Sequence, residues 1–118
     1  MNLLNPRDIY AQLQLAQQSG QVVALATVVA TKGSTPQRSG ARMLIYQDGR
    51  LYGTVGGGCI EADVVGRAQH LMRQREAALC RFDLIAEPDE PEGDVCGGIM
   101  EIFIEAFPAP PISTQPSN

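Results

Sequence analysis

The sequence predicts an α+β fold, a single small domain in which a mixed β-sheet carries two main helices. Three observations lead there. The chain has 118 residues, enough for one hydrophobic core and too few for two. Apolar residues recur at helical spacing in two stretches and form strand-like runs in five. Segments rich in glycine or proline separate these stretches. With 44% hydrophobic and 19% charged residues the composition is that of a globular protein, and without tryptophan the core falls to Val, Leu and Ile.

The first helix opens at Asn5, a capping residue, followed by Pro6 in the first turn; Ile9, Leu13 and Ala16 share a face, and Gly20 ends it. Residues 22–31 form a nearly unbroken run of β-branched and small apolar residues, which predicts a strand covered on both faces at the centre of the sheet. A loop follows over 32–40, where Gly33, Ser34, Thr35, Pro36, Ser39 and Gly40 break both periods. Strand-like runs at 42–46 and 51–55 flank Asp48-Gly49, the short-range signature of a hairpin. Gly56-Gly57-Gly58 then leads into a helix whose buried face is Ile60, Val64, Val65, Ala68, Leu71 and Met72. Strands are expected at 79–85 and 99–106, with an acidic loop at 86–94 between them. The organisation is thus one domain over 1–107 and a Pro-rich, disordered tail over 108–118.

Charge narrows the function. A net charge of -4 argues against a nucleic-acid binder, which needs a basic face to displace counterions. No apolar run approaches the roughly 20 residues that span a bilayer, and the first residues carry no basic or apolar leader pattern, so a cytoplasmic protein is expected. Three cysteines fit reduced thiols better than a disulfide framework. Eight of the nine cations are Arg, the residue that grips planar anions with a fixed fork, although genome base content gives the same bias.

Chemistry concentrates at three places. Gly56, Gly57, Gly58 and Cys59 set backbone amides and a thiol at a helix start, where the dipole favours an anion and stabilises a thiolate. The same residues also serve a tight strand-to-helix turn with a small packed Cys59. Cys96, Gly97 and Gly98 repeat the pattern before a strand, where glycines admit a ligand or another backbone and where a Cys is often simply packed. The loop from Lys32 onward gathers hydroxyls including Ser34 with Arg38 and Arg42, a set of phosphate donors without the Walker spacing, or else a solvated loop. Glu61 and Glu101 follow the two Gly-Cys clusters and accept from a heterocycle or help cap and solvate. Cys80, inside an apolar strand, reads as core. His70 stands alone and the cysteines lack C-x-x-C spacing, so no zinc site is expected.

These residues resemble the N-terminal domain of the XdhC/CoxI family. The resemblance runs through Ala26-Thr27-Val28, Gly33-Ser34-Thr35-Pro36, Gly40-Ala41-Arg42-Met43, Gly53-Thr54-Val55-Gly56-Gly57-Gly58-Cys59-Ile60-Glu61 and Cys96-Gly97-Gly98 to Glu101, in that order. It implies a maturation factor that binds molybdenum cofactor (molybdopterin) transiently, protects it and hands it to a xanthine dehydrogenase or carbon monoxide dehydrogenase type enzyme. Cys59 and Cys96 would be the functional thiols and the ligands for the metal. Members of the family continue into a Rossmann-like domain, absent from this sequence. The partners implied are a target molybdenum hydroxylase, a cysteine desulfurase or a separately encoded Rossmann-domain partner, and a second copy in a homodimer. A chaperone without turnover is the first reading. A sulfur-transfer or disulfide-exchange enzyme using Cys59 and Cys96 is the second, and a purely structural protein the third.

Overall fold

The order of elements is α1 (Pro6–Gln18), β1 (Val23–Lys32), β2 (Arg42–Tyr46), β3 (Leu51–Gly53), α2 (Glu61–Gln74), β4 (Ala77–Asp83) and β5 (Ile99–Phe107). The computed structural model describes residues 6–33, 35, 38–57, 60–84 and 98–108. The expected loop at 86–94 and all of the predicted tail except the exposed Pro108 lie outside them.

The five strands form one sheet in the order β3-β2-β1-β5-β4. The α+β class stands, but the sheet expected to be mixed is antiparallel at every pairing. The reason is the path of α2. β3 and β4, joined through that helix, run in the same direction, yet they occupy opposite edges and never pair.

Burial follows the strand period of two. In β5, Met100, Ile102, Ile104 and Ala106 are buried and the residues between them are half-buried. The buried set joins Ala24, Ala26, Val28, Met43, Ile45, Cys80 and Phe82 beneath Val64, Ala68, Leu71 and Met72 of α2. On the opposite face Ile9, Leu13 and Ala16 of α1 pack on Val23, Leu25, Leu44 and Tyr46. Each such Leu, Ile or Val contributes about 1.5–3 kcal/mol by leaving water. β1 serves both layers, which is why its run of apolar residues shows no alternation.

That double cover ends at Val28. The β1–β5 register shifts between Val28 and Ala30, and Val29 is 46% exposed. The ladder with β2 closes at Thr27, opposite Arg42, so the last residues of β1 have a strand neighbour on the β5 side alone. Strand boundaries also move. β3 stops at Gly53, whose φ of +84° turns the chain out of the strand, and β4 begins two residues earlier than expected, at Ala77. Arg75, at φ +58°, closes α2, its N–H and that of Glu76 returning to the last-turn carbonyls.

Candidate functional site at one end of the sheet

Antiparallel pairing sends the three chemistry-bearing segments to one end. β1 runs up into residues 33–41, β2 starts down from them, β3 ends where the glycine turn begins, β4 ends at Asp83, and β5 starts after Gly98. Leu84 N–H donates to the Gly98 carbonyl at 2.7 Å, tying the end of β4 to the start of β5. α2 begins at this same end and packs across β5 and β1. The opposite end carries the tight turns after Tyr46 and Arg75.

The glycine turn hangs between two fully buried anchors, Val55 and Ile60. Gly56 and Gly57 have φ of +147° and +73°, conformations that glycine adopts without a Cβ penalty. Their amides are not bare. Thr54 Oγ1 accepts from Gly56 N–H at 3.0 Å and from Gly57 N–H at 3.2 Å, and its own hydroxyl donates to Glu61 Oε2 at 2.6 Å. Glu61 Oε2 also accepts from Gly57 N–H at 3.1 Å. The expectation that these two amides are free for an anion is therefore corrected: Thr54 and the first residue of α2 already hold them. Thr54 escaped the sequence reading, although a hydroxyl two and three residues before glycine N–H groups is the usual setting of a Ser/Thr turn. At the cap position of α2 stands Ile60, which offers no side-chain acceptor.

Arg42 begins β2 at the same end. Its Nη1 donates to the Gly40 carbonyl at 3.0 Å and its guanidinium lies 5.4 Å from the Tyr10 ring centre. Its Nε is buried and has no acceptor among the described residues. Tyr10 belongs to α1, so Arg42 faces the α1 side of the sheet, while Val55 and Ile60 belong to the α2 side. Lys32 and Arg38 are exposed on the flanking segments. Glu101 is set apart from the turn: it lies on the sheet opposite Arg81 and Ala30. Cys80 is buried as expected, with Arg67 Nη1 3.7 Å from its sulfur. Ser34, Gly58, Cys59, Cys96 and Gly97 lie outside the described residues. Among those described, no three His, Cys, Asp or Glu side chains gather as a metal site, and no helix is long and apolar enough to cross a membrane.

One helix on each face of an antiparallel sheet, with a latched glycine turn and Arg42 at the end to which the described parts of the motifs run, defines a three-layer α+β domain. The chain belongs to the XdhC and CoxI family, whose sequence model matches residues 16–83. It is 32% identical over 100 residues to a probable xanthine dehydrogenase component of Bacillus subtilis, covering 83% of this chain and 30% of that protein. It is 39% identical over 64 residues to the molybdenum cofactor insertion chaperone PaoD of Escherichia coli, covering 52% of this chain and 20% of that one. A crystal structure of a xanthine dehydrogenase from Bacillus halodurans superposes with a TM-score of 0.67 at 28% identity, over 81% of this chain and 29% of the other. The chain thus spans less than a third of the length of these relatives.

Proposed function

We propose that this domain binds molybdenum cofactor and passes it to a molybdenum hydroxylase of the xanthine dehydrogenase or carbon monoxide dehydrogenase type. The observation that carries the reading is the gathering of the family's motif ends at one end of the sheet, beside Arg42, whose buried Nε has no acceptor among the described residues. The relative named as a molybdenum cofactor insertion chaperone supports the choice of ligand. When bound, the cofactor supplies a phosphate, a polar pterin and a soft metal centre. Arg42 Nε fits the phosphate because a buried N–H without an acceptor costs about 1–3 kcal/mol until one arrives. Arg38, Ser34 and the backbone at Gly58, Gly97 and Gly98 would complete the polar cradle, with the Gly56 and Gly57 turn as its floor. Cys59 and Cys96 are the soft donors for the metal.

Anaerobic purification after expression with molybdate, followed by pterin and metal analysis, tests this. The domain should retain molybdenum and pterin in near-equal amounts. Cys59→Ser and Cys96→Ser should lower molybdenum while circular dichroism is unchanged, and Arg42→Met should lower pterin as well. Absence of both from the wild-type protein would end the proposal. A persulfide mass shift on either thiol would favour a sulfur-transfer enzyme instead.

A further inference from the structure

Glu61 follows the glycine turn, where a carboxylate would suit the donors of a heterocycle, but its Oε2 is already committed within the chain. It accepts the Thr54 hydroxyl at 2.6 Å and the Gly57 N–H at 3.1 Å. Thr54 Oγ1 in turn accepts from Gly56 and Gly57, so two side chains restrain a pair of glycines that have none of their own to hold φ at +147° and +73°. The base of the turn is equally firm. Gly53 lies so close to β2 and α1 that a Cβ there would meet the Arg42 carbonyl at 2.6 Å and Ile9 Cδ1 at 2.9 Å. Beyond the turn the buried Ile60 donates its N–H to the Gly57 carbonyl at 3.1 Å, and its own carbonyl accepts from Val64 N–H in α2. Only Gly58 and Cys59 stand between Gly57 and Ile60 in the sequence. Both neighbours of that pair are therefore held, Ile60 by the core and Gly57 by Thr54 and Glu61.

We infer that Glu61 and Thr54 are positioning residues of the proposed metal site: acting through the Gly57 backbone, they fix the end of the chain from which Cys59 reaches the metal, and Glu61 is not an acceptor for the pterin. The place of Glu61 in α2 agrees. Ile60 at the cap offers no side-chain acceptor, so the carboxylate one residue later supplies the negative charge that the start of the helix favours. This inference rests on the proposed function for the metal, and on the hydrogen bonds alone for the latch.

The test titrates the full chain anaerobically with molybdenum cofactor released from a purified molybdenum hydroxylase, with bound metal and bound pterin assayed separately. Thr54→Val and Glu61→Ala should each weaken metal retention by about 10–100-fold, the range for groups that orient a metal's ligands. The metal-to-pterin ratio should therefore fall, as in Cys59→Ser. Thr54→Ser, which keeps the hydroxyl, should recover most of the ratio, and the double variant Thr54→Val with Glu61→Ala should lose no more than the worse single one, because both residues act on one link. Additive losses would overturn the inference, since Glu61 would then meet the ligand through its other oxygen. Equal proportional loss of metal and pterin would overturn it too, as the mark of a fold loosened throughout. Amide hydrogen exchange reads the latch without any cofactor: the Gly57 N–H should exchange about tenfold faster in each variant than in the wild type. Unchanged exchange at Gly57 in both variants would remove the latch. A wild type that binds neither metal nor pterin, with Gly57 exchange still dependent on Thr54 and Glu61, would support the latch while refuting the cofactor reading.

Discussion

The hydroxyl of Thr54 lies 2.6 Å from Glu61 Oε2 and accepts the amides of Gly56 and Gly57, so one short side chain joins the end of β3 to the start of α2. Removing it leaves the Gly56 N–H without its acceptor and takes one of two partners from both the Gly57 N–H and Glu61 Oε2. Thr54→Val should destabilise the domain by about 1–3 kcal/mol, the cost of leaving partly buried groups unpaired, and Thr54→Ser should restore most of that loss. Urea unfolding of the pair measures it, and a Val variant as stable as the wild type would show that water replaces the latch.

Two glycines should respond oppositely to alanine. At Gly53 a Cβ would meet the Arg42 carbonyl at 2.6 Å and Ile9 Cδ1 at 2.9 Å, on a backbone at φ +84°. Gly53→Ala should therefore cost about 2 kcal/mol or more through strain and displaced backbone. Gly66 sits inside α2 with nothing within 4 Å of such a Cβ. Gly66→Ala should raise stability by about 0.5–1 kcal/mol. Thermal melts of both variants beside the wild type check the sign.

Glu105 makes a pH-dependent prediction. Its folded pKa is raised above the unfolded one, so the folded state binds more protons through that interval, and stability falls as pH rises from the ordinary carboxylate range through the raised value. Glu105→Gln removes the half-buried charge. It should raise the melting temperature at pH 7 and leave it nearly unchanged below pH about 4, where the wild-type carboxyl is already neutral. A stabilisation that does not depend on pH would assign the effect to packing.

The thiols should separate kinetically. Cys80 is 3% exposed between α2 and the sheet and should be alkylated by iodoacetamide only when urea opens the core. Cys59, two positions before α2 in the sequence, should label in the native protein and at lower pH, as a thiol at a helix N-terminus does. Peptide mapping after timed labelling distinguishes them, and slower labelling of Cys59 would remove the thiolate argument.

Local signals in the sequence were enough for the elements themselves. Asp48-Gly49 marked its hairpin, and Ile9, Leu13 and Ala16 marked the inner face of α1, because turn chemistry and periodicity are properties of neighbouring residues. What escaped it is set by residues far apart. That β3 and β4 occupy opposite edges depends on the path of α2 across β1 and β5, and no local pattern in either strand encodes it. The exposure of Val29 follows from the ladder with β2 closing at Thr27, which the apolar run of β1 does not itself reveal. At the site, glycines predicted a turn, but the identity of the groups that hold their amides lay in Thr54 and in the return of Glu61 from the helix.

The two ends of the sheet differ in how they are closed. At the end away from the motifs, Gly49 N–H returns to the Tyr46 carbonyl and Arg50 clasps Asp48 at 2.9 Å, while its guanidinium rests 4.3 Å from the Tyr46 ring centre. A strand of ten residues, at about 3.3 Å each, separates this turn from the other end. The Gln47 side chain is exposed there. A dye, a biotin or a surface linkage placed at Gln47 would stand about 20 Å from Gly56, because Gly53 pairs with Met43 four residues along β2 and Gly56 follows three residues later. The domain could then be immobilised with its motif end facing free solution, where loading and unloading could be watched on single molecules.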